Sequence, residues 1–384
     1  MMTNPLLEVS DLSVEFESYE GTHRVLNDVD LTIEEGETVA LVGETGCGKS
    51  VTAKSIMGTL PRPPGKITSG NIRYRGTDLL ANRAEHDRVK GEEMSMIFQD
   101  PMTYLSPVYT VGSMMADVAT YSGNADVSWF DVLKNLLGRR EERESIRERS
   151  IELLERMHLP DPEGALDKYP VQLSGGMRQR VIIAMALINE PTFLLADEPT
   201  TALDVTVQNQ ILDLLREHVT DRNLSMLYIT HNLGVAREIA DKICIMYAGE
   251  IVEVGSTDEI FDAPLHPYTR GLLDSIPKLT GFEGDGIDGQ IPDYTNPPRG
   301  CRFHPRCPAA IAGTCDSEPV EAHAVGESRS VGCHLYEDGM SMDDAMAVAT
   351  SDATYWSEER PPSAKAGVGS ASSGTGTRET GGDQ

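Results

Sequence analysis

The sequence predicts an α/β fold centred on a phosphate-binding loop, and three stretches carry the prediction. In the first, the apolar run Thr38-Val39-Ala40-Leu41-Val42 enters the octet Gly43 to Ser50 (GETGCGKS), and the helix-compatible segment Val51 to Leu60 follows. In the second, Phe193-Leu194-Leu195-Ala196 ends in Asp197-Glu198; in the third, Ser225 to Ile229 ends in Thr230-His231. Short apolar runs bounded by glycine or polar residues read as buried strands. Polar groups delivered at the C-terminal ends of such strands lie where parallel α/β sheets place their ligands.

The octet is the most informative of the three. Gly43 and Gly48 permit backbone conformations that a side chain would obstruct, so successive N–H groups can surround a polyphosphate. The helix beginning there adds the positive end of its dipole. In this arrangement Lys49 reaches the β- and γ-phosphates and the Ser50 hydroxyl ligates Mg²⁺.

Taken in order, Leu7 to Phe16 and Val29 to Ile33 read as strands leading to this loop. An aromatic ring at the end of the first strand suits stacking on a base: Phe16 first, Tyr19 second, with burial of Phe16 in the core an equal reading. Pro61 to Gly70 reads as a loop, Asn71 to Tyr74 as a resumed strand, and Met94 to Phe98 as a strand ending at Gln99-Asp100-Pro101. An amide at a strand end, before a proline that stops regular structure, is placed to sense a metal or a water. From Thr103 to about Lys168 the pattern is helical, with Trp129, Phe130, Leu133, Leu136 and Leu137 on one face and a charged run from Arg139 to Arg149. Leu173-Ser174-Gly175-Gly176-Met177 opens an apolar segment reaching Ile188, with Ser174 as N-cap and the glycines exposing N–H groups as a second anion site. Two such sites, far apart in one chain, make sense if each completes the other across a dimer. Asp197 can hold Mg²⁺ through water and Glu198 can polarise an attacking water. Ala202-Leu203-Asp204 reads as a turn before a helix from Val205 to about Val219, and His231 as a contact to a γ-phosphate.

Composition limits the function classes. In 384 residues, 61 acidic against 33 basic side chains give a net charge of −28, which disfavours nucleic acid as a partner. Only nine of the basic residues are Lys, and the acids are spread along the chain, which suits a salt-rich cytoplasm where screening weakens self-repulsion. Apolar runs such as Val181 to Ile188 fall well short of the roughly 20 residues needed to span a bilayer. Met1 to Glu8 lacks the basic and apolar regions of a signal peptide. The expectation is a cytoplasmic protein whose membrane role needs a separate partner. Of six Cys, Cys47 and Cys244 read as packing residues, whereas Cys301, Cys307, Cys315 and Cys333 cluster near the C-terminus and point to metal before disulfide.

In this order, the loop, Gln99, the LSGGMRQR stretch from Leu173, Asp197-Glu198, Asp204 and His231 resemble the ATP-binding subunits of ABC transporters over residues 6 to 260. The resemblance implies an antiparallel β subdomain, a helical signature subdomain at about 100 to 180, and a nucleotide set of Phe16, Gly43, Glu44, Thr45, Gly46, Cys47, Gly48, Lys49, Ser50 and Val51. It further implies Ser50, Gln99 and Asp197 for Mg²⁺, Glu198 as general base, and His231 on the transferring phosphate. Asp204 joins the nucleotide set, and Ser174, Gly175 and Gly176 would contact ATP held by the opposite subunit.

DPMTYLSPVYTVG from Asp100, DEPTTALDVTVQ from Asp197, PLHPYTRGLL from Pro264 and NPPRGCRFHPRCP from Asn296 resemble the dipeptide/oligopeptide importer branch, which includes nickel importers, and extend the likeness to about residue 330. Asn232 stands where the branch has Asp, and Ser122 to Glu144 is longer than usual. Implied partners are a second, different cassette, two membrane permeases and an extracytoplasmic binding protein, with this chain on the cytoplasmic face of the membrane. The C-terminal extension, 261–337, carries four Cys that the branch can use for an iron–sulfur cluster. Here they are spaced C-x5-C-x7-C-x17-C, equally open to zinc, with His304, His323 and His334 as substitutes. Residues 338–384 read as a disordered tail, Gly/Ser/Thr-rich from Pro361 onward. The rival readings are a nickel or other small-solute importer ATPase, a soluble ABC ATPase and a metal or redox sensor. Neither a second loop nor sustained heptads support the soluble ATPase.

Overall fold

The computed structural model describes residues 5–19, 21–99, 104–122, 140–200, 203–275, 287–326 and 329–351. Its strands are β1 (Leu7–Ser18), β2 (Gly21–Ile33), β3 (Thr38–Val42), β4 (Gly65–Tyr74), β5 (Thr77–Asp78), β6 (Met94–Ile97), β7 (Phe193–Asp197), β8 (Ser225–Thr230), β9 (Lys242–Tyr247), β10 (Glu250–Ser256), β11 (His323–Val325) and β12 (Arg329–Val331). They form an antiparallel sheet ordered β2-β1-β4-β5 and a larger sheet ordered β11-β12-β10-β9-β3-β8-β7-β6. In the larger sheet β9, β3, β8, β7 and β6 run parallel, while β10, β12 and β11 close one edge antiparallel.

Alternation along the parallel strands divides the core. Leu194, Ala196, Met226 and Tyr228 face a cluster that includes Leu154, Ile183, Ile211 and Leu215, from the helices Arg140–Arg156, Gly175–Leu187 and Val205–Arg222. Phe193, Leu195, Leu227, Ile229, Val39 and Leu41 face the antiparallel sheet and the helix Lys49–Ile56. Strands buried on both faces have no polar side to show, which is why they read as continuous apolar runs. Fully burying each Leu or Ile contributes about 1.5–3 kcal/mol, and this rigidity fixes the polar residues at the strand ends.

Several boundaries differ from the sequence reading. Gly65 to Gly70 is strand, not loop: Gly65 pairs with Phe16 and Ile67 with Val14 across β1. Gly70, at φ +94°, passes so close to the Asp11 and Ser10 carbonyls that a Cβ would come within 2.6 Å of each. The helix Arg83–Glu92, capped by Asn82, was not foreseen. The apolar face at Trp129 to Leu137 and the segment Pro361 to Gln384 lie outside the described residues.

The extension is tied to the sheet rather than appended to it. β12 pairs with β10, and the buried Arg329 guanidinium meets the buried Glu253 carboxylate, which also accepts the Leu265 and His266 N–H groups. The helix Met342–Ser351 falls within the stretch expected to be disordered: its Ala345 and Ala349 pack on Leu265, Val331 and Tyr336.

Candidate functional site

The phosphate loop leaves β3 at Gly43, where only glycine fits: a Cβ would lie 2.1 Å from the Met246 carbonyl oxygen. Gly48, at φ +113°, turns the chain into the helix Lys49–Ile56. Lys49 is buried, and its Nζ donates to the carbonyls of Gly43 (2.8 Å) and Glu44 (3.0 Å), with the Cys47 Sγ beside it. A buried ammonium held only by neutral carbonyls is poised to exchange them for phosphate oxygens. Thr45 and Gly46 are exposed at the loop's tip, and Val51 lies in the first turn of the helix behind it.

Four predicted side chains converge beside this loop. Ser50 Oγ donates to Asp197 Oδ1 at 3.2 Å. Glu198 takes a hydrogen bond from Gln99 Nε2 at 3.0 Å on one carboxylate oxygen and faces His231 Nδ1 at 3.2 Å on the other. The backbone at Glu198 is left-handed (φ +46°), and its N–H donates to the Ile229 carbonyl. A non-glycine residue in that region costs of order 1–3 kcal/mol and persists where the surroundings impose it. It turns Glu198 out of the strand direction so that, one residue after Asp197, it addresses the same space.

Ser50 and Asp197 offer hard oxygen donors, which fit Mg²⁺ accompanied by phosphate oxygens. Burial pushes the Asp197 carboxyl up, the Ser50 hydrogen bond pulls against that, and the Glu198 charge pushes it up again. An acid whose folded pKa lies above its unfolded one takes up protons on folding. Its contribution to stability is therefore greatest at low pH and is lost as pH rises through the folded pKa. Without nucleotide or metal, Asp197→Asn is expected to melt above the wild type at neutral pH, with the gap closing below the ordinary carboxylate range. Thermal melts across pH check this, and a gap that does not change with pH contradicts it.

The LSGGM stretch lies elsewhere on the surface. Ser174 caps the helix Gly175–Leu187 by accepting from Met177 N–H (3.3 Å), and Ser174 and Gly175 are exposed. A Cβ on Gly176 would meet Val207 at 3.2 Å. Asp204, expected in a turn near nucleotide, caps the helix Val205–Arg222 by accepting from Val207 N–H. Phe16 is half-buried against the core with Gly65 and His23 as strand neighbours, so both readings of it stand; Tyr19 is fully exposed.

Nothing among the described residues supports the metal expectation for the cysteines. Among the described residues, no group of three or more His, Cys, Asp or Glu side chains could hold a metal ion. Burial, with the neighbouring cysteines adding to it, raises the thiols of Cys301 (to about 11) and Cys333. The Cys315 sulfur accepts the Ile311 N–H. His304 is bound to the Cys301 carbonyl, His323 faces Asp338 and His334 faces the Glu318 carbonyl.

The sequence reading missed three side chains at the loop. Tyr268 OH accepts the Glu44 N–H (3.1 Å), Arg306 Nη1 lies 3.1 and 3.2 Å from the two Glu44 carboxylate oxygens, and Tyr294 OH donates to the Gly46 carbonyl (2.7 Å). Tyr268 and Arg306 stood inside stretches singled out only for their resemblance, and Tyr294 had no spacing or periodicity to mark it.

Comparison with known proteins agrees with this geometry. Residues 26–201 match the ABC transporter family, and residues 252–315 match the family described as oligopeptide/dipeptide transporter, C-terminal region. The chain is 43% identical over 335 residues to the dipeptide transport ATP-binding protein DppD of Bacillus subtilis, covering 86% of this chain and 95% of that one. It is 44% identical over 318 residues to the oligopeptide transport ATP-binding protein OppD of the same organism, covering 82% and 84%. Among solved structures, the dimeric post-hydrolysis ATP-binding cassette MJ0796 bound to ADP and Pi aligns with a TM-score of 0.55 at 27% identity, over 65% of this chain and 98% of that one. The cbiO1 protein of Clostridium perfringens, part of the ABC transporter complex cbiONQ, aligns with a TM-score of 0.52 at 26% identity, over 68% of this chain and 92% of that one.

Proposed function

Since this chain belongs to the ABC transporter family and is an ATP hydrolase of it, we propose that it powers the import of dipeptides or oligopeptides through separate membrane permeases. The observation that carries the catalytic part is the Glu198 carboxylate, suspended between Gln99 and His231 beside the Ser50–Asp197 pair. The relatives named for dipeptide and oligopeptide transport support the cargo class. No helix among the described residues is long and apolar enough to cross a membrane, which supports a cytoplasmic-face subunit acting on permeases.

ATP enters with its phosphates in the loop, where the backbone N–H groups and Lys49 grip them. Ser50 and Asp197 would hold Mg²⁺, which when bound would supply positive charge against the charge developing on the phosphates. Glu198 accepts a proton from water as its oxygen bonds to the γ-phosphorus; the bond to the bridging oxygen breaks, releasing ADP and inorganic phosphate. His231 steadies the transferring group, and Gln99 orients Glu198. Ser174, Gly175 and Gly176, at a helix start where the first two of them are exposed, seal the ATP of a second, different cassette, so closure needs both subunits. Hydrolysis breaks that bridge and reopens the pair, and this motion reaches the permeases. Peptide arrives from an extracytoplasmic binding protein.

The test is uptake of labelled dipeptide and oligopeptide into proteoliposomes holding the full chain, its permeases and companion cassette, at low and at molar KCl. Uptake dependent on ATP and Mg²⁺, and rising with KCl, is expected. The salt response is expected because a net charge of −28 is screened over about 3 Å at 1 M salt. Uptake of nickel without peptide would overturn the cargo assignment, and full activity in dilute buffer would overturn the high-salt setting.

A further inference from the structure

The loop residue Glu44 poses an electrostatic problem. A carboxylate one residue into a phosphate-binding loop repels the polyphosphate that the loop exists to hold. Its charge is met by Arg306 of the C-terminal extension, whose Nη1 is 3.1 and 3.2 Å from the two carboxylate oxygens. That guanidinium is itself fixed: Nε donates to the Asp288 carbonyl, Nη2 to the Ile287 carbonyl, the ring of Tyr247 lies beneath it, and the side chain is only 7% exposed. Two residues along the loop, Gly46 has its carbonyl oxygen occupied by Tyr294 OH at 2.7 Å. The Tyr294 backbone carbonyl accepts Arg24 N–H and Thr295 Oγ1 lies 3.1 Å from His23, the cross-strand neighbour of Phe16. The segment 294–295 therefore bridges the strand end that carries Phe16 and the tip of the phosphate loop.

We propose that the C-terminal extension is a working wall of the nucleotide site, in which Tyr294 and Arg306 are positioning residues that set the loop's shape and cancel the Glu44 charge. The inference rests on the nucleotide-binding reading of residues 43–50 and assigns the extension a part in it. Nucleotide and extension hold the same loop, so their seating is linked, and the linkage is reciprocal. Mg-ATP bound in the loop tightens the contacts of residues 287–307, and loosening those contacts weakens Mg-ATP.

The test uses the full chain and titrates Mg-ATP and Mg-ADP into the wild type, Tyr294→Phe, Arg306→Gln and the double variant Glu44→Gln/Arg306→Gln. Arg306→Gln is expected to weaken ATP by about tenfold, the effect of losing a charge-assisted contact. It should weaken ADP less, because ADP carries less charge, and the double variant should recover ATP affinity because the exposed carboxylate is gone. Tyr294→Phe is expected to raise KM for ATP about three- to tenfold while kcat at saturation moves far less. Hydrogen exchange across 287–307 should slow when Mg-ATP binds the wild type. A purely structural contact would lower Tm without separating ATP from ADP, and Glu44→Gln would restore nothing; either result overturns the proposal. Failure of the folded wild type to bind Mg-ATP would sink the nucleotide reading itself, whereas wild-type affinity in all variants would sink only the part assigned to the extension.

Discussion

Glu198→Gln is expected to lower kcat for ATP hydrolysis by about 10²–10⁴, the range that a positioned general base supplies, while ATP affinity holds. The two effects separate because of where the carboxylate stands. Its hydrogen-bonding partners are Gln99 and His231, whereas Lys49 Nζ is held by the Gly43 and Glu44 carbonyls, so replacing the carboxylate leaves the phosphate grip intact. The amide keeps the shape and can still accept from Gln99, but it cannot take a proton from water. With hydrolysis blocked and binding preserved, the variant is also expected to accumulate as an ATP-bound pair with its companion cassette. Single-turnover hydrolysis with nucleotide binding and size-exclusion chromatography checks both halves. Turnover within a fewfold of wild type would remove Glu198 from the role of base and leave the water to another group.

The parts of this site that the sequence made legible share one property: each is local. The loop octet, the strand Phe193–Asp197 with its terminal carboxylates and the Ser174 cap are contiguous, and their chemistry follows from neighbours one to four residues away. The same holds for the parallel strands, since burial on both faces leaves an unbroken apolar run that any window detects. The unforeseen features are non-local. Gly65 to Gly70 looks like a turn in isolation because it contains two glycines, and it becomes a strand only through pairing with β1. Met342–Ser351 is a short run whose helix is fixed by alanines packing on residues up to about 80 positions earlier, such as Leu265. Tyr294 and Arg306 reach the loop from 248 and 262 residues away, a distance at which no spacing rule operates. The cysteines lie between these cases: Cys333 is within electrostatic reach of Cys301, Cys307 and Cys315, as their clustering in sequence suggests, while no group able to hold a metal ion is found among the described residues.

Lys49→Ala is expected to weaken Mg-ATP by about 10²-fold or more, because charge-assisted hydrogen bonds to two phosphates contribute roughly 1.5–3 kcal/mol each. The same substitution should leave the nucleotide-free chain no less stable than the wild type. Lys49 is 5% exposed, and its Nζ rests on two backbone carbonyls with the Cys47 sulfur nearby. Holding a buried ammonium on neutral acceptors costs desolvation, of which the nearby Asp197 carboxylate offsets only a part. The Gly43 and Glu44 carbonyls left behind lie at a loop where Glu44 is half-buried and water can reach in, so few polar groups are stranded. Phosphate oxygens offset more of that desolvation cost, and part of the affinity for ATP comes from this. Calorimetric titration of Mg-ATP beside thermal melts of the empty proteins separates the two effects. If Lys49→Ala lost several degrees of Tm while keeping wild-type ATP affinity, the ammonium would be a structural tie for the loop and the phosphates would be held by backbone N–H groups alone.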